Sequence, residues 1–264
     1  MEKVKYTQLQ LPFAEPEFNV SYRSDIHLNL LGNPNSFTFK EIMEILGNPM
    51  KVKEWDRRKC TILNKHLLSA NHPVEGPFEL PKLRPYQGAV PNIFLPYSAK
   101  IPKDSYKYGV HCHQDDWSFA SSWKKPIMGL NRIIRYKVAI GPDYSLFVDG
   151  KKCENIEQLR RNRTISSFWQ HFVPTIQSAS WGDADSILTY AFDGLAEESW
   201  TSISHAAIGN NQEKRLFEFA IKTLVEKKRP IGLLVFGFPL HFDPGVPVKV
   251  FPCRINFLRS LKRR

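Results

Sequence analysis

From about residue 106 onward, short apolar runs alternate with stretches of helical periodicity. The runs have the length of buried strands, and the stretches between them place their apolar residues on one helical face, as in 152–172. Strands that are separated by helices pair in parallel, because each helix carries the chain back across the sheet. The pattern therefore predicts an α/β fold with a mostly parallel sheet of βα units, built as an open sheet or as a partial TIM-like barrel. The predicted strands lie in YKYGVHCH, RYKVAIGPDY, VPTIQSASW, SWTSISHAAIG, IGLLVFGFP and VKVFPC.

The residues before this alternation contain one predicted helix, in SFTFKEIMEILGNP, and a proline-rich stretch at 73–103. Seven prolines in that stretch argue against a central strand, because proline has no N–H to donate to a neighbouring strand. We therefore expect an irregular, Pro-rich wrapping segment at 1–105 around a βα-repeat domain at 106–264, the two forming one globular unit.

The chain is strongly basic, with 37 Lys and Arg against 26 Asp and Glu and a formal net charge of +11. A field of that sign attracts polyanions, so nucleic acid or another polyanion is the predicted class of partner, with simple solubility as the alternative reason for the charge. Positive residues concentrate at 160–163, 222–229 and 254–264, although such runs on helices also serve as solvated faces. The four cysteines form no CxxC pair, and no stretch reaches the roughly eighteen apolar residues of a membrane span. We expect a cytoplasmic protein without a membrane partner, and the sequence leaves its oligomeric state open.

Polar side chains follow each predicted strand at the point where it ends. In parallel α/β folds, ligands bind beyond the carboxyl ends of the strands, where loops and helix N-termini converge. The sequence therefore predicts a site at this edge of the sheet. The candidates, strand by strand, are His111, His113, Asp115 and Asp116; Asp143 and Ser145; Ser180, Trp181, Asp183 and Asp185; Ser204 and His205; and His241 and Asp243.

Four aspartates are the predicted catalytic residues of this site. Carboxylates from several strand ends can converge on Mg²⁺, which prefers oxygen ligands and serves phosphate chemistry. The same side chains also suit structural roles, either as helix N-caps or, in GPDYS, within a turn. The predicted catalytic residues are Asp115, Asp116, Asp143 and Asp183, and the predicted ligand contacts are Ser145, Ser180, His205 and Trp181, the last by stacking on a base.

A second hypothesis is a metal centre at the end of the first of these strands. His111 and His113 point to the same face of an extended chain, and an HxH pair there can hold zinc, with Asp116 as a further ligand. Such a centre would make the protein a metal-dependent hydrolase. Lone histidines are more often hydrogen-bonded polar residues than ligands, so both interpretations stay open.

Six short motifs follow one another along the chain. They are ELP at 79–81, LPYSAKI at 95–101, HQDDWSF at 113–119, GPDYSLF at 141–147, SWGD at 180–183 and FDG at 192–194. In order and spacing they resemble a family of phage and bacterial proteins that is known as a domain of unknown function and is marked by a Phe-Asp-Gly motif. The resemblance spans roughly 76–240 and implies a phage or mobile-element setting, without implying a reaction. The chain departs from the family in having His111 and Cys112 where bulkier apolar residues are usual. From the residues alone, Gly194 is expected to form a left-handed helix end and Phe192 to lie in the core.

The leading functional hypothesis is a phage-type protein that binds or processes nucleic acid or a phosphorylated ligand in an acidic pocket at the strand ends. One alternative is a non-catalytic interaction protein that binds a host factor, with the aspartates serving only as caps. The other is the metal-dependent hydrolase built on His111 and His113. The sequence leaves open whether the protein is an enzyme, and it favours magnesium or zinc as the cofactor if one is used.

Overall fold

The computed structural model describes residues 39–46, 63–69, 71–205, 208 and 210–252. In this part of the chain, two short strands form an antiparallel pair, and seven others form an all-parallel sheet whose spatial order is the order of the sequence. The predicted α/β class with a parallel sheet is confirmed. The pair consists of β1 (Val74–Glu75) and β2 (Leu80–Pro81); the sheet consists of β3 (Phe94–Pro96), β4 (Gly109–His111), β5 (Val138–Ile140), β6 (Thr175–Ser178), β7 (Trp200–His205), β8 (Gly232–Gly237) and β9 (Val248–Phe251).

Helices follow β4, β5, β6 and β7, as the alternation predicts. The helical stretch predicted after β4 is broken into a 3-10 turn and two short helices, because Pro126 has no N–H to continue the first helix and instead begins the second. None of the described helices has the length and apolar character needed to cross a lipid bilayer. The α-helices are α1 (Phe39–Ile45), α2 (Ser121–Lys124), α3 (Pro126–Ile133), α4 (Lys152–Trp169), α5 (Ala184–Thr189) and α6 (Asn211–Lys228).

The sheet curls into a half-barrel. A flat sheet of seven strands would hold its two edges about 29 Å apart, at roughly 4.8 Å per strand. Here Phe94 on the edge strand β3 and Phe251 on the opposite edge strand β9 have ring centroids only 5.0 Å apart. Phe236 of β8 packs against both rings, at 5.6 and 5.2 Å. Of the two predicted architectures, the structure is therefore the partial barrel, with an aromatic cluster in its interior.

The two faces of the curled sheet have different neighbours. On β8, Leu233 and Val235 belong to the apolar cluster formed with α5 and α6. Leu234 and Phe236 alternate with them and belong to the interior cluster. The helices thus cover the outer face, and side chains two residues apart along a strand share the inner one.

The proline-rich stretch contributes one edge strand and then follows the βα units. β3 contains Pro96 and pairs with β4 alone, a position where a missing N–H is tolerated. Upstream, the Leu83 N–H donates to the Gly194 carbonyl at 2.8 Å, and the Trp200 N–H donates to the Tyr86 carbonyl at 2.9 Å. These bonds attach the segment before β3 to the turn at Gly194 and to the beginning of β7.

The Phe-Asp-Gly motif forms the turn that receives this segment. Gly194 has a φ of +76°, which confirms its predicted left-handed conformation, although α5 has already ended at Thr189. A Cβ at Gly194 would lie 2.5 Å from the Pro81 carbonyl oxygen, and its N–H donates to Glu75 at 2.7 Å. Phe192 is 2% exposed and lies in the core as predicted. The motif is therefore a docking turn for the β1–β2 pair.

Candidate functional site

His113 lies between two hydrogen-bonding partners at the carboxyl ends of the strands. Its Nδ1 is 2.7 Å from Asp143 Oδ2, and its Nε2 is 3.1 Å from Ser202 Oγ. The imidazole and Ser202 are fully buried, whereas the Asp143 side chain is 12% exposed. The three side chains form a connected Asp–His–Ser chain with the aspartate at its solvent end.

Three different strands supply these side chains. His113 follows β4, Asp143 follows β5, and Ser202 lies within β7. Ser202 is two residues from Trp200, which packs in the interior cluster, so its hydroxyl faces into the half-barrel. The His113 ring reaches that hydroxyl across β5 and β6, and it packs 4.7 Å from the Phe236 ring. The curl of the sheet therefore brings His113 within reach of Ser202.

The Ser202 hydroxyl has a second partner, the carbonyl oxygen of Gln177 at 3.1 Å. In one arrangement the hydroxyl donates to that carbonyl, and its oxygen accepts from a protonated Nε2. In the other arrangement the hydroxyl donates to Nε2, and the imidazole is neutral. In both states, Nδ1–H donates to the Asp143 carboxylate. The Ser202 hydroxyl can therefore act as the partner of Nε2 either as acceptor or as donor, while Nδ1 stays bonded to Asp143.

Two asparagines on α4 hold the loop that carries Asp143. Asn162 accepts from the Tyr144 N–H at 2.7 Å and donates to the Tyr144 carbonyl at 3.1 Å. Asn155 makes the same pair of bonds with Phe147, at 3.0 and 2.9 Å. Because the two asparagines are two helical turns apart, they lie on the same face of α4. The backbone on the C-terminal side of Asp143 is thus fixed to a long helix.

Asp116 joins the loop after β4 to the loop after β5. Both of its carboxylate oxygens accept from the Ser145 N–H, at 3.2 and 3.1 Å, and one also accepts from the Ser145 hydroxyl at 3.0 Å. Burial raises the pKa of Asp116; the bonds from Ser145 oppose this effect, and the charges of Asp143 and Asp115 add to it. The carboxylate lies close enough to Asp143 for the two charges to repel each other.

Asp115 and Asp116 do not cap a helix, and the prediction that one of them does so is wrong. Asp115 is exposed and precedes the 3-10 turn Asp116–Ser118, but its side chain makes no capping hydrogen bond. Asp116 is turned toward Ser145 instead. The continuous helix that would need a cap does not form here, because the chain begins with a 3-10 turn and is broken again before Pro126.

Three buried polar atoms beside His113 have no hydrogen-bond partner in the described part of the chain: His111 Nδ1, Ser178 Oγ and Asp143 Oδ1. The ring centroids of His111 and His113 are 6.1 Å apart, and Ser178 is the register partner of Ser202 on the neighbouring strand. Burial, with a smaller contribution from His113, lowers the pKa of His111 to about 3, so this ring is neutral near pH 7. Buried polar groups without partners are uncommon, and they mark positions where a ligand atom can bind.

The predicted metal ligands lie near one another but have other partners. Both ring nitrogens of His113 are hydrogen-bonded, and Asp116 accepts from Ser145. Among the described residues, no group of three or more His, Cys, Asp or Glu side chains is arranged to hold a metal ion. An ion would have to displace existing hydrogen bonds, so the metal set of His111, His113 and Asp116 stays a prediction.

Asp183 and Ser180 follow β6 and hold local structure. Asp183 accepts from the Ser186 N–H at 2.8 Å and so caps α5, which confirms its predicted capping role. The Ser180 hydroxyl accepts from the side-chain amide of Asn162 at 3.3 Å, and the same amide also positions the loop that carries Asp143. Of these two, Ser180 is linked to the His113 group and Asp183 is not.

Trp181 and His205 form an aromatic group at the next strand ends. The Trp181 ring packs against Phe217 at 5.5 Å, and the His205 ring stacks on Phe217 at 4.5 Å. His205 Nδ1 lies 2.8 Å from the Phe238 carbonyl oxygen, to which it donates. Both predicted ligand contacts are therefore packed against α6, beside the His113 group rather than within it.

Ser202, Asn155 and Asn162 are the site residues that the sequence analysis missed. Ser202 lies inside a predicted strand, and the available signal was strand alternation, which places Ser202 and Ser204 on one face. Two asparagines at a helical spacing of seven residues were the signal for the pair on α4.

The fold and these contacts define a half-barrel α/β protein with a histidine–aspartate pair at its strand ends. The model of the family described as "Domain of unknown function (DUF4417)" matches residues 72–246, and the chain belongs to this family. Over 171 residues, 63% of this chain and 74% of the relative, it is 28% identical to the "Gene 1 protein" of Mycobacterium phage L5. Over 200 residues, 74% of this chain and 73% of the relative, it is 26% identical to the "Gene 1 protein" of Mycobacterium phage D29. The resemblance to a phage family is confirmed. No solved structure matches the chain.

Proposed function

We propose that this chain binds a phosphate-bearing ligand at the carboxyl ends of β4, β5 and β7, and that Asp143, whose carboxylate His113 holds in place, exchanges a proton with that ligand through general acid–base chemistry. The observation that carries the proposal is the bonding of His113 between Asp143 and Ser202. A histidine and a carboxylate that are hydrogen-bonded to each other have fixed orientations, as in many acid–base sites. Asp143 is the partly exposed member of the group, so the ligand would approach from its side.

The charge of the chain supports a phosphate-bearing ligand. A formal net charge of +11 favours anions over cations or neutral molecules at the surface. Within the four predicted catalytic aspartates, the proposal centres on Asp143 and keeps Asp116 as a neighbour that Ser145 positions.

A non-catalytic interaction protein is the second candidate, because several of the predicted catalytic carboxylates have structural partners. Asp183 caps α5, and Asp116 ties two loops together. Under this alternative, the His113 bonds would only stabilise the half-barrel. Hydrolysis on a metal held by His111 and His113 has less support, since His113 has no unbonded nitrogen to offer.

Histidine-selective ¹⁵N NMR tests the binding part of the proposal. Inorganic phosphate and ATP are titrated separately into the ¹⁵N-labelled chain, and we expect the His113 ring nitrogens to shift. The Asp143→Asn variant should lose this response, whereas Asp149→Asn, the same charge change at an exposed position of the same loop, should keep it. His113 resonances that stay fixed at millimolar phosphate and ATP would remove the basis for the proposal.

Turnover of bis(p-nitrophenyl) phosphate tests the catalytic part. We expect release of p-nitrophenolate by the unmodified chain and a loss of roughly 100-fold or more in Asp143→Asn, the usual size of a general acid–base contribution. A ligand-induced shift at His113 without any turnover would favour the non-catalytic candidate.

A further inference from the structure

We propose that Trp117 and Phe147 form a stacking platform for the unpaired bases of single-stranded nucleic acid, next to the strand-end site. This inference rests on the proposed function, and it specifies the substrate class as single-stranded rather than duplex nucleic acid. The platform consists of these two aromatic rings and the adjoining Val148.

The three platform side chains are unusually exposed for apolar groups. Trp117 is 73% exposed, Phe147 is 55% exposed and Val148 is 62% exposed. Most other aromatic side chains of the described chain lie in apolar clusters. Leaving these three side chains in water therefore forgoes the gain of burial at three positions on two neighbouring loops. Apolar groups that are exposed together commonly mark a surface that another molecule covers.

The backbone under the platform is held in place, although its side chains are exposed. Asp116, the residue before Trp117, is bonded to the N–H and the hydroxyl of Ser145. Phe147 has both its N–H and its carbonyl bonded to Asn155 on α4. A rigid backbone lowers the conformational entropy that binding must overcome, so the rings are preorganised to receive a ligand.

The two rings belong to adjacent loops on the side of the sheet that carries His113. Trp117 follows β4 and Phe147 follows β5, and these parallel strands are neighbours in the sheet. The Asp116–Ser145 bonds join the two loops directly beside the rings. A strand of nucleic acid whose bases stack on the platform would therefore have its phosphates near the Asp143 end of the His113 group.

Lysines flank the platform on both loops. Lys124 and Lys125 follow the turn of Trp117, Lys151 follows the loop of Phe147, and all three are exposed. Aromatic faces beside ammonium groups are the usual means by which proteins bind single strands without reading their sequence. Four aspartates on the same loops oppose the attraction of phosphates, so stacking must supply the larger share of the affinity; they are Asp115, Asp116, Asp143 and Asp149. A duplex offers few free base faces, because extruding a base costs its stacking and pairing energy.

Fluorescence anisotropy with a fluorescein-labelled oligothymidylate of about 15 nucleotides tests the proposal. We expect Trp117→Ala and Phe147→Ala each to raise the Kd by roughly 10-fold or more, and Trp117→Phe to restore most of the loss. Tyr106→Ala is the matched control, because this aromatic ring is 46% exposed but lies before β4, at the amino ends of the strands. The Kd of this variant should stay within about 2-fold of that of the unmodified chain. A duplex of the same length should bind more weakly than the single strand.

Two results would overturn the inference. One is an unchanged Kd in both alanine variants. The other is a failure of the unmodified chain to bind the oligothymidylate at low salt, which would assign the exposed rings to a protein partner instead. Both can occur while ATP still shifts the His113 resonances, in which case the proposed function stands without the platform. The His113 spectrum of each variant also confirms that the fold is retained.

Discussion

Arg163 is a fully buried cation whose guanidinium donates to three backbone carbonyls. Its Nε bonds to Asp193 at 2.9 Å, its Nη1 to Ser178 at 3.2 Å and its Nη2 to Ala191 at 2.9 Å. Burial lowers the pKa of Arg163 to about 10, partly offset by nearby acidic groups, so the side chain is still charged at neutral pH. One side chain of α4 thus fixes both the end of β6 and the Phe-Asp-Gly turn.

Replacing Arg163 by Met should lower the free energy of unfolding by about 3 kcal/mol, because buried carbonyl groups lose their donors. The matched control is Arg160→Met on the same helix, where a partly exposed ion pair with Glu157 is lost and the change should stay below about 1 kcal/mol. Urea unfolding at 25 °C measures both. Equal stabilities of the two variants would contradict the structural role assigned to Arg163.

Helix α4 positions the loop after β5. Asn155 and Asn162 each satisfy the N–H and the carbonyl of one loop residue, so the loop takes its conformation from the helix rather than from its own turn residues. Asp143 lies immediately before this held stretch. The orientation of the carboxylate toward His113 therefore depends on a helix that contributes no atom to the His113 hydrogen bonds.

Substituting Asn162 by Ala should release the Tyr144 amide. We expect its hydrogen-exchange rate to rise by roughly 10-fold or more, since the loss of a bond to a buried N–H costs about 1–3 kcal/mol. Asn155→Ala should speed exchange at Phe147 and leave Tyr144 protected, which makes each variant the control for the other. Similar protection of Tyr144 in all three proteins would show that α4 does not hold the loop.

The strands and long helices could be predicted because each follows a hydrophobic period that is visible within a single segment. The position of His113 at a strand end follows from the same reasoning. Its partner Ser202 does not, because the contact crosses two intervening strands and exists only once the sheet has curled. The curl depends on Phe94 and Phe251, which lie far apart in the sequence. The failed cap at Asp116 has the opposite cause, a local rule overridden by Ser145 of the next loop.

The molecule as a whole should be sensitive to acid through histidines that its folding buries in neutral form. Burial lowers the pKa of His111 to about 3, with His113 adding to the effect. Burial, with Arg84 and His72, lowers the pKa of His171 to about 4. In the unfolded chain, the pKa of both histidines should be about 6.5. At pH values between the folded-state and the unfolded-state pKa, the unfolded chain binds protons that the folded chain excludes. The free energy of unfolding is therefore greatest above about pH 6.5 and falls as the pH drops.

His111→Phe isolates one of these contributions, because phenylalanine keeps an aromatic ring against Phe236 and has no proton to bind. A single histidine that is protonated only in the unfolded chain changes the free energy of unfolding by roughly 1.4 kcal/mol per pH unit. We expect the slope of stability against pH, measured by urea unfolding between pH 4 and 6, to decrease by about that amount in His111→Phe. His241→Asn, at an exposed position, should leave the slope unchanged. If His111→Phe has the slope of the unmodified chain, then His111 takes up its proton in the folded state as readily as in the unfolded state. The ring would in that case have access to solvent or to an acceptor, and the half-barrel interior would be open to water at the level of β4.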